Sequence, residues 1–312
     1  MSVAALLPPS VHVFVRDWLS ANNILLSGRD GHVLVDTGYV AHAGLTLALL
    51  DGPRGTKGAP LAKIVNTHGH SDHVGGNAAI ARRHRCPVAV PAAEAPRFAA
   101  WDERALLYAW ADQRCEPFPV DETIEAGSTQ VWGDLEWRAL AAPGHDSGAL
   151  VYWNPEHRII LTGDALWERG FGFVMPRALD PTAIPEARAT LDLLAGLDAR
   201  IVIPGHGEPF TGVGAALERA YSRLAALEAD DERVARHAVK VMFTYSLLDR
   251  RRFAEADLPG YVERIGFYRE LNAAVLRMPA NELAALIVDE LTRAGAIRRD
   301  GSDLVPALGE AG

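Results

Sequence analysis

Residues 66–76 read NTHGHSDHVGG, with His68, His70, His73 and Asp72 inside six consecutive positions. The whole chain has 11 histidines. Imidazole and carboxylate groups are ligands for divalent metal ions. The apolar run AKIVNTH leads into the cluster and reads as a strand. Residues two apart in a strand point the same way, so His68 and His70 reach one ion. Asp72 and His73 are adjacent where a helix begins, a position that favours an ionised aspartate. A local turn there aims these two at a second point, and Gly75 and Gly76 leave room beside it.

Three more groups sit in loops directly after strands, each preceded by glycine: His145 in APGHDSG, Asp164 in IILTGDALW and His206 in IVIPGHGEPF. Seven N/O groups suit two ions sharing a carboxylate, with a coordination position left for water. Two neighbouring cations bring a shared water's pKa toward neutrality, and the resulting hydroxide attacks a carbonyl or phosphoryl group polarised by the same ions. Asp36 follows the strand HVLV and is read as a residue that backs a ligand without touching an ion. Asp146 and Ser147 stand beside His145, but adjacency makes no catalytic triad.

The elements that position these groups come in two batches of strands. VHVFV is followed by two strands around an Arg29-Asp30-Gly31 turn, then by strand, histidine loop, a helix over VGGNAAIARRH and the strand CPVAVP. Residues 92–115 read as a helical insert. Strands return in TQVWGDLEWRALAAP, GALVYWNPEHRIILTGD and ARIVIPGHG, with a helix over Pro181–Leu194 between them. Two packed sheets with helices outside fit this order. The boundary to a mainly helical part (residues 216–312) is placed near residue 215. That part ends in a hairpin around Asp300-Gly301, giving a winged-helix-like outline.

With 49% apolar residues among 312, a sizeable core is available. The net charge is −9, divided as −7 over residues 1–215 and −2 over 216–312. That argues against nucleic acid, which favours basic surfaces. Two cysteines make no disulfide framework. With no leader pattern and no apolar run long enough to span a bilayer, the expectation is a cytoplasmic protein without a membrane partner.

The sequence resembles the metallo-β-lactamase-fold hydrolases. THGHSDHVGG matches that family's second motif. DTG at Asp36, PGH at His145, GD at Asp164 and GHG at His206 resemble the first, third, fourth and fifth. The resemblance spans about residues 11–210 and implies an α+β, four-layer αβ/βα sandwich. It also implies His68, His70 and His145 on one metal, Asp72, His73 and His206 on the other, Asp164 bridging, and Asp72 orienting the attacking water. Zinc is the first expectation for both ions, with iron or manganese as alternatives. Zinc β-lactamases commonly carry a cysteine ligand or lack the bridge. The pattern therefore favours thioesterase, lactonase, nuclease and phosphodiesterase branches. Residues 231–305 resemble the winged-helix-like domain of the human β-lactamase-like protein 2 group, whose members include nucleases of single-stranded RNA.

The leading expectation is hydrolysis of a small ester, thioester or lactone, so the partner is a small acyl compound. An endoribonuclease on the same dinuclear centre and a mononuclear, persulfide-dioxygenase-like iron enzyme are the alternatives. Trp167, Phe171 and Phe173 are expected to line the substrate pocket, with Arg169 or Arg177 facing an anionic group. Trp101, Tyr108 and Trp110 of the insert are candidates for its wall, and Tyr245, Tyr261 and Tyr268 either close it or pack in the core. Arg250, Arg251 and Arg252 are read as solvated surface.

Overall fold

Period-two alternation along the strands decides the layers. The computed structural model describes residues 3–307. Its first sheet joins β1 (Val11–Phe14), β2 (Asn23–Gly28), β3 (Gly31–Val35), β4 (Leu61–Val65), β5 (Val88–Pro91) and β6 (Glu122–Ile124) in that order. β1, β2 and β3 pair antiparallel; β3 through β6 pair parallel. The second sheet runs β11 (Ile201–Pro204), β10 (Ile159–Gly163), β9 (Leu150–Asn154), β8 (Leu135–Ala141), β7 (Thr129–Trp132). In β2, Ile24 and Leu26 enter the core between the sheets, while Leu25 faces the helices outside. Ile159 and Leu161 of β10, and Ile201 and Ile203 of β11, likewise face the first sheet, and Ile160 and Val202 face outward. Both faces of each sheet are therefore covered, the arrangement a four-layer sandwich requires. Each such side chain, fully buried, stabilises by roughly 2 kcal/mol.

The helices are α1 (Ala43–Asp51), α2 (Ser71–Val74), α3 (Asn77–His84), α4 (Ala95–Ala100), α5 (Ala183–Gly196), α6 (Val213–Glu228), α7 (Asp231–Arg250), α8 (Leu258–Arg264), α9 (Gly266–Leu271) and α10 (Ala280–Arg293). Leu50 of α1 and Ala78 and Ile80 of α3 cover the first sheet. Leu191 and Leu194 of α5, with Leu217 and Leu224 of α6, cover the second. α7 to α10 bury a separate apolar core with a small sheet of β12 (Phe253–Ala254), β13 (Ile297–Asp300) and β14 (Asp303–Pro306). No single helix among the described residues is long and apolar enough to cross a membrane.

Two expectations differ from this architecture. The insert is helical only over α4 and a single 3-10 turn at Ala109–Ala111. Trp101 adopts a left-handed conformation (φ 46°) that ends α4, and Asp102 then accepts from the backbone N–H of Arg104 and Ala105. Secondly, α6 belongs to the core of the second sheet, so the cores divide between α6 and α7 and not near residue 215. Asp230 makes that break: it is extended (φ −153°, ψ 97°) and its side chain caps α7 by accepting from Arg233 N at 3.0 Å.

Candidate metal centre

Every candidate ligand, and Asp36 behind them, stands just beyond a strand or in the turn that follows one. Asp36 follows β3, His68 and His70 follow β4, His145 follows β8, Asp164 follows β10, and His206 follows β11. α2 begins directly after His70 and carries Asp72 and His73. The two sheets bring these loops to one edge. His68, His70 and His145 form one group; Asp72, His73, Asp164 and His206 form another, and within each group the ligand atoms lie within 4.8 Å of one another.

The hydrogen bonds around the rings settle where the lone pairs point. His145 Nδ1 donates to the Phe173 carbonyl oxygen, which only accepts, so Nε2 presents its lone pair. Asp36 Oδ2 lies 2.7 Å from His73 Nδ1 and 2.8 Å from Thr67 Oγ1, which donates to it. The Thr67 hydroxyl is then free to accept from His68 Nδ1 at 3.1 Å. His68 Nε2 is thereby left as a lone pair, as is His73 Nε2 when that ring is neutral. Yet His68 Nε2 and His145 Nε2 face each other at 3.2 Å, and His70 Nδ1 lies 2.8 Å from the same His145 atom. Converging lone pairs call for a cation between them.

The second group has the same character. His73 Nε2 is buried without a hydrogen-bond partner, 3.4 Å from Asp164 Oδ1 and 3.8 Å from Asp72 Oδ2. His206 Nε2 lies 3.0 Å from Asp72 Oδ2 and 3.9 Å from Asp164 Oδ2. Asp164 Oδ2 is also 3.4 Å from His145 Nε2, so this carboxylate touches both groups. Glycine keeps the space open: a Cβ on Gly205 would stand 2.3 Å from Asp164 Oδ1, and one on Gly172 would stand 2.7 Å from His145 Nδ1. The donor set fits two divalent ions that take nitrogen and oxygen ligands.

Electrostatics agree with that fit for the first group. Burial, then the neighbouring His73 and His70, lowers the His68 pKa well below its ordinary value. Burial and His145 push His70 down to about 4. Both rings are neutral at pH 7, as ligation requires. His73 differs: burial opposes its charge, but Asp36, Asp164 and Asp72 outweigh it and raise that pKa, so ligation through Nε2 requires a metal ion to displace the proton held among these carboxylates. Burial likewise opposes the Asp164 carboxylate, and His206 and His73 outweigh it, so the group stays ionised.

Beside this edge lies a cavity of about 390 Å³. His70, Asp72, His145 and Asp164 are part of its lining. Trp167, Phe171 and Phe173 line it. Arg169 and Arg177 do not. Arg169 is exposed outside the lining, and Arg177 turns toward the Glu228 carbonyl and Asp231. The insert contributes Leu106, Leu107 and Gln113 to the lining, whereas Trp101 and Tyr108 pack beneath the first sheet and Trp110 against Phe267 of α9. Tyr261 and Tyr268 are buried in the C-terminal core.

Apart from Tyr245, the sequence reading missed the roof. His237, Lys240, Val241, Thr244, Tyr245 and Leu248 of α7 face the cavity. Their spacing of three and four residues is one helical stripe, the signal that was available. The Tyr245 hydroxyl donates to Asp72 Oδ2 at 3.4 Å, and burial keeps it protonated. Behind His70, Asp146 Oδ2 lies 3.6 Å from Nε2 and is held by Arg97, itself paired with buried Glu94. Two of the triplet arginines are in surface pairs: Arg250 binds Asp112, and Arg252 binds Asp300 and Asp303.

Comparison with known proteins gives the same grouping. Hydroxyacylglutathione hydrolase of Bdellovibrio bacteriovorus is 28% identical over 113 residues, 36% of this chain and 37% of that enzyme. The match thus spans little more than a third of that relative's length. A metallo-beta-lactamase family protein of Thermus thermophilus, TTHA1429, superposes with a TM-score of 0.56 over 96% of this chain and 99% of its own, at 20% identity. TTHA1623, solved in a di-iron-bound form, gives 0.50 at 27% identity over 67% of this chain and 98% of its own. The family model for the metallo-beta-lactamase superfamily matches residues 16–206. With most of its length matched and the motif residues gathered at one sheet edge, the chain belongs to the metallo-beta-lactamase superfamily.

Proposed function

We propose that the chain is a dinuclear metal-dependent hydrolase of a small ester, thioester or lactone with an apolar acyl part. One observation carries this: the 390 Å³ cavity is walled by Leu106, Phe171, Phe173, Met242 and Leu291 and is also lined by His70, Asp72, His145 and Asp164. Pockets that orient small apolar substrates have this composition. His68, His70 and His145 would hold one ion, Asp72, His73 and His206 the other, with Asp164 between them. When bound, the ions supply an activated water and a Lewis acid. Zinc is the first expectation, with iron or manganese as alternatives.

The protein's own groups do the rest. Asp72 Oδ2 orients the attacking water and receives its proton. Tyr245, protonated and lining the cavity, holds Asp72 Oδ2 through its hydroxyl and helps to position that carboxylate. Trp18 stacks on His206, ring centroids 5.7 Å apart, and with Trp167 screens it from solvent. The complete second group favours two ions over the mononuclear reading. Carboxylate pairing of Arg250 and Arg252 disfavours the RNA reading, because phosphate binding needs free cations.

The test is a rate measurement on metal-loaded, chelated and reloaded protein with thioesters, lactones, phosphodiesters and short RNA. Metal-dependent turnover of an acyl compound, with shallow salt dependence, is expected. Faster cleavage of RNA than of every acyl compound, falling steeply with salt, would overturn the reading. The relation to hydroxyacylglutathione hydrolase supports a thioester without fixing its thiol.

A further inference from the structure

One cation in the cavity wall has no acidic partner. Arg223 projects from α6, and its guanidinium lies over the Phe171 ring, 4.7 Å from the centroid. Nη1 donates to the Phe171 carbonyl oxygen at 2.8 Å and Nη2 to His237 Nε2 at 3.1 Å. These two bonds fix the plane and leave other N–H groups of the five uncommitted. Among the described residues, no carboxylate lies within ion-pairing distance of Arg223, although it is largely enclosed. Its neighbours differ: Arg188 pairs with Glu228, Arg236 with Glu232 and Glu290, and Lys240 with Glu290.

An enclosed charge without a counter-ion is costly unless something supplies one. His237, which accepts from Arg223, is pushed down to about 4 by burial and then by the charges of Arg223, Lys240 and Arg233, so it is neutral and does not offset the Arg223 charge. Gly170 preserves the arrangement, since a Cβ there would stand 2.8 Å from Arg223 Nη1. The same loop measures the distance to the metal edge. Gly170 abuts Arg223, and Gly172, two residues on, abuts Asp164 and His145. Two residues of chain span at most about 7 Å. Phe171 fills the wall between.

We propose that Arg223 anchors a carboxylate or phosphate at the far end of the substrate, so that the compound hydrolysed is an acyl derivative that is anionic at the end remote from its scissile bond. This rests on the hydrolase reading of the cavity. A planar guanidinium recognises either oxyanion through paired N–H donors. The apolar wall between Arg223 and the metal edge fits a short methylene chain. A group reaching both ends must therefore be acyl at one and anionic at the other.

The experiment is calorimetric binding to the metal-loaded full chain, which needs no turnover. Octanoate is compared with octanedioate and with phosphonooctanoate, each in the native protein, Arg223→Met and Arg223→Lys. One carboxylate of each compound can occupy the metal edge, so the difference reports the distal anion. The native protein is expected to bind the better of the two dianions about tenfold or more tighter than octanoate. That gap should close in Arg223→Met and partly return in Arg223→Lys. Preference for octanedioate would mark a carboxylate, and preference for the phosphonate a phosphate. Equal binding of all three acids by the native protein would overturn the proposal even if Arg223→Met failed to fold. A gap that survived in folded Arg223→Met would do the same. If no ester is cleaved but the gap depends on Arg223, the hydrolase reading fails and the anion site stands.

Discussion

Replacing Asp36 with asparagine should cripple metal binding although Asp36 is not itself a proposed ligand. Asp36 is buried at the end of β3 in a left-handed conformation (φ 57°), which asparagine tolerates as well as aspartate does. Its carboxylate accepts from Thr67 N at 2.9 Å and Thr67 Oγ1 at 2.8 Å, and holds the His73 Nδ1 proton at 2.7 Å. An asparagine keeping its oxygen on Thr67 N would turn its NH2 toward His73. His73 would then accept at Nδ1 and carry its proton on Nε2, the atom that faces Asp164 and Asp72. Disturbing such a supporting bond costs about 10–100-fold in metal affinity, or about 1.4–2.7 kcal/mol. Competition against a chromophoric chelator measures it directly, with circular dichroism confirming the fold. An affinity within twofold of the native protein would refute the tautomer argument.

Three further outcomes are expected. Asp72→Ala should lose turnover more completely than it loses total metal, because Asp72 serves one ion yet also handles the proton; paired calorimetry and rate measurements check this, and full activity would exclude the role. Gly205→Ala should lower metal content, since the new Cβ would fall 2.3 Å from Asp164 Oδ1 and must displace it; elemental analysis of the folded variant decides. Glu270 joins α9 to the insert by accepting from Arg104 at 2.7 and 2.6 Å, and the Arg104 hydrogen bond with the surrounding charges holds its carboxyl at about 2, below the ordinary 4.5. A depressed carboxyl stabilises the fold above its unfolded value, and that contribution is lost as pH falls through the folded one. The difference in denaturation midpoint between the native protein and Glu270→Gln should therefore be full above pH 4.5 and shrink toward pH 2; a difference independent of pH would contradict it.

The candidate ligand cluster was legible because each group follows a strand, and strand ends are visible as apolar runs stopped by glycine. His145, Asp164 and His206 are far apart in sequence but adjacent in space because β8, β10 and β11 share one sheet and end at one edge. The layers were legible too, from two batches of strands. The substrate wall was not. Arg169 and Arg177 lie close to Asp164 in sequence, yet the loop after β10 points them outward, while Arg223 reaches the cavity from α6. Proximity along a loop says little about direction, whereas a stripe on a helix does. The stripe on α7 was present in the spacing of His237, Val241, Tyr245 and Leu248, but it reads as an ordinary core face until the cavity beneath it is known. The insert failed for a local reason, since Trp101 and Asp102 end a helix that composition alone would have continued.

The central claim is that two groups of ligands hold two ions with Asp164 shared between them. Elemental analysis of carefully reconstituted protein, native and Asp164→Asn, tests it most directly. The account predicts about two metal ions per native chain, matching the two ligand groups, and a clear loss in Asp164→Asn. One ion per native chain, with the same content in the variant, would contradict it.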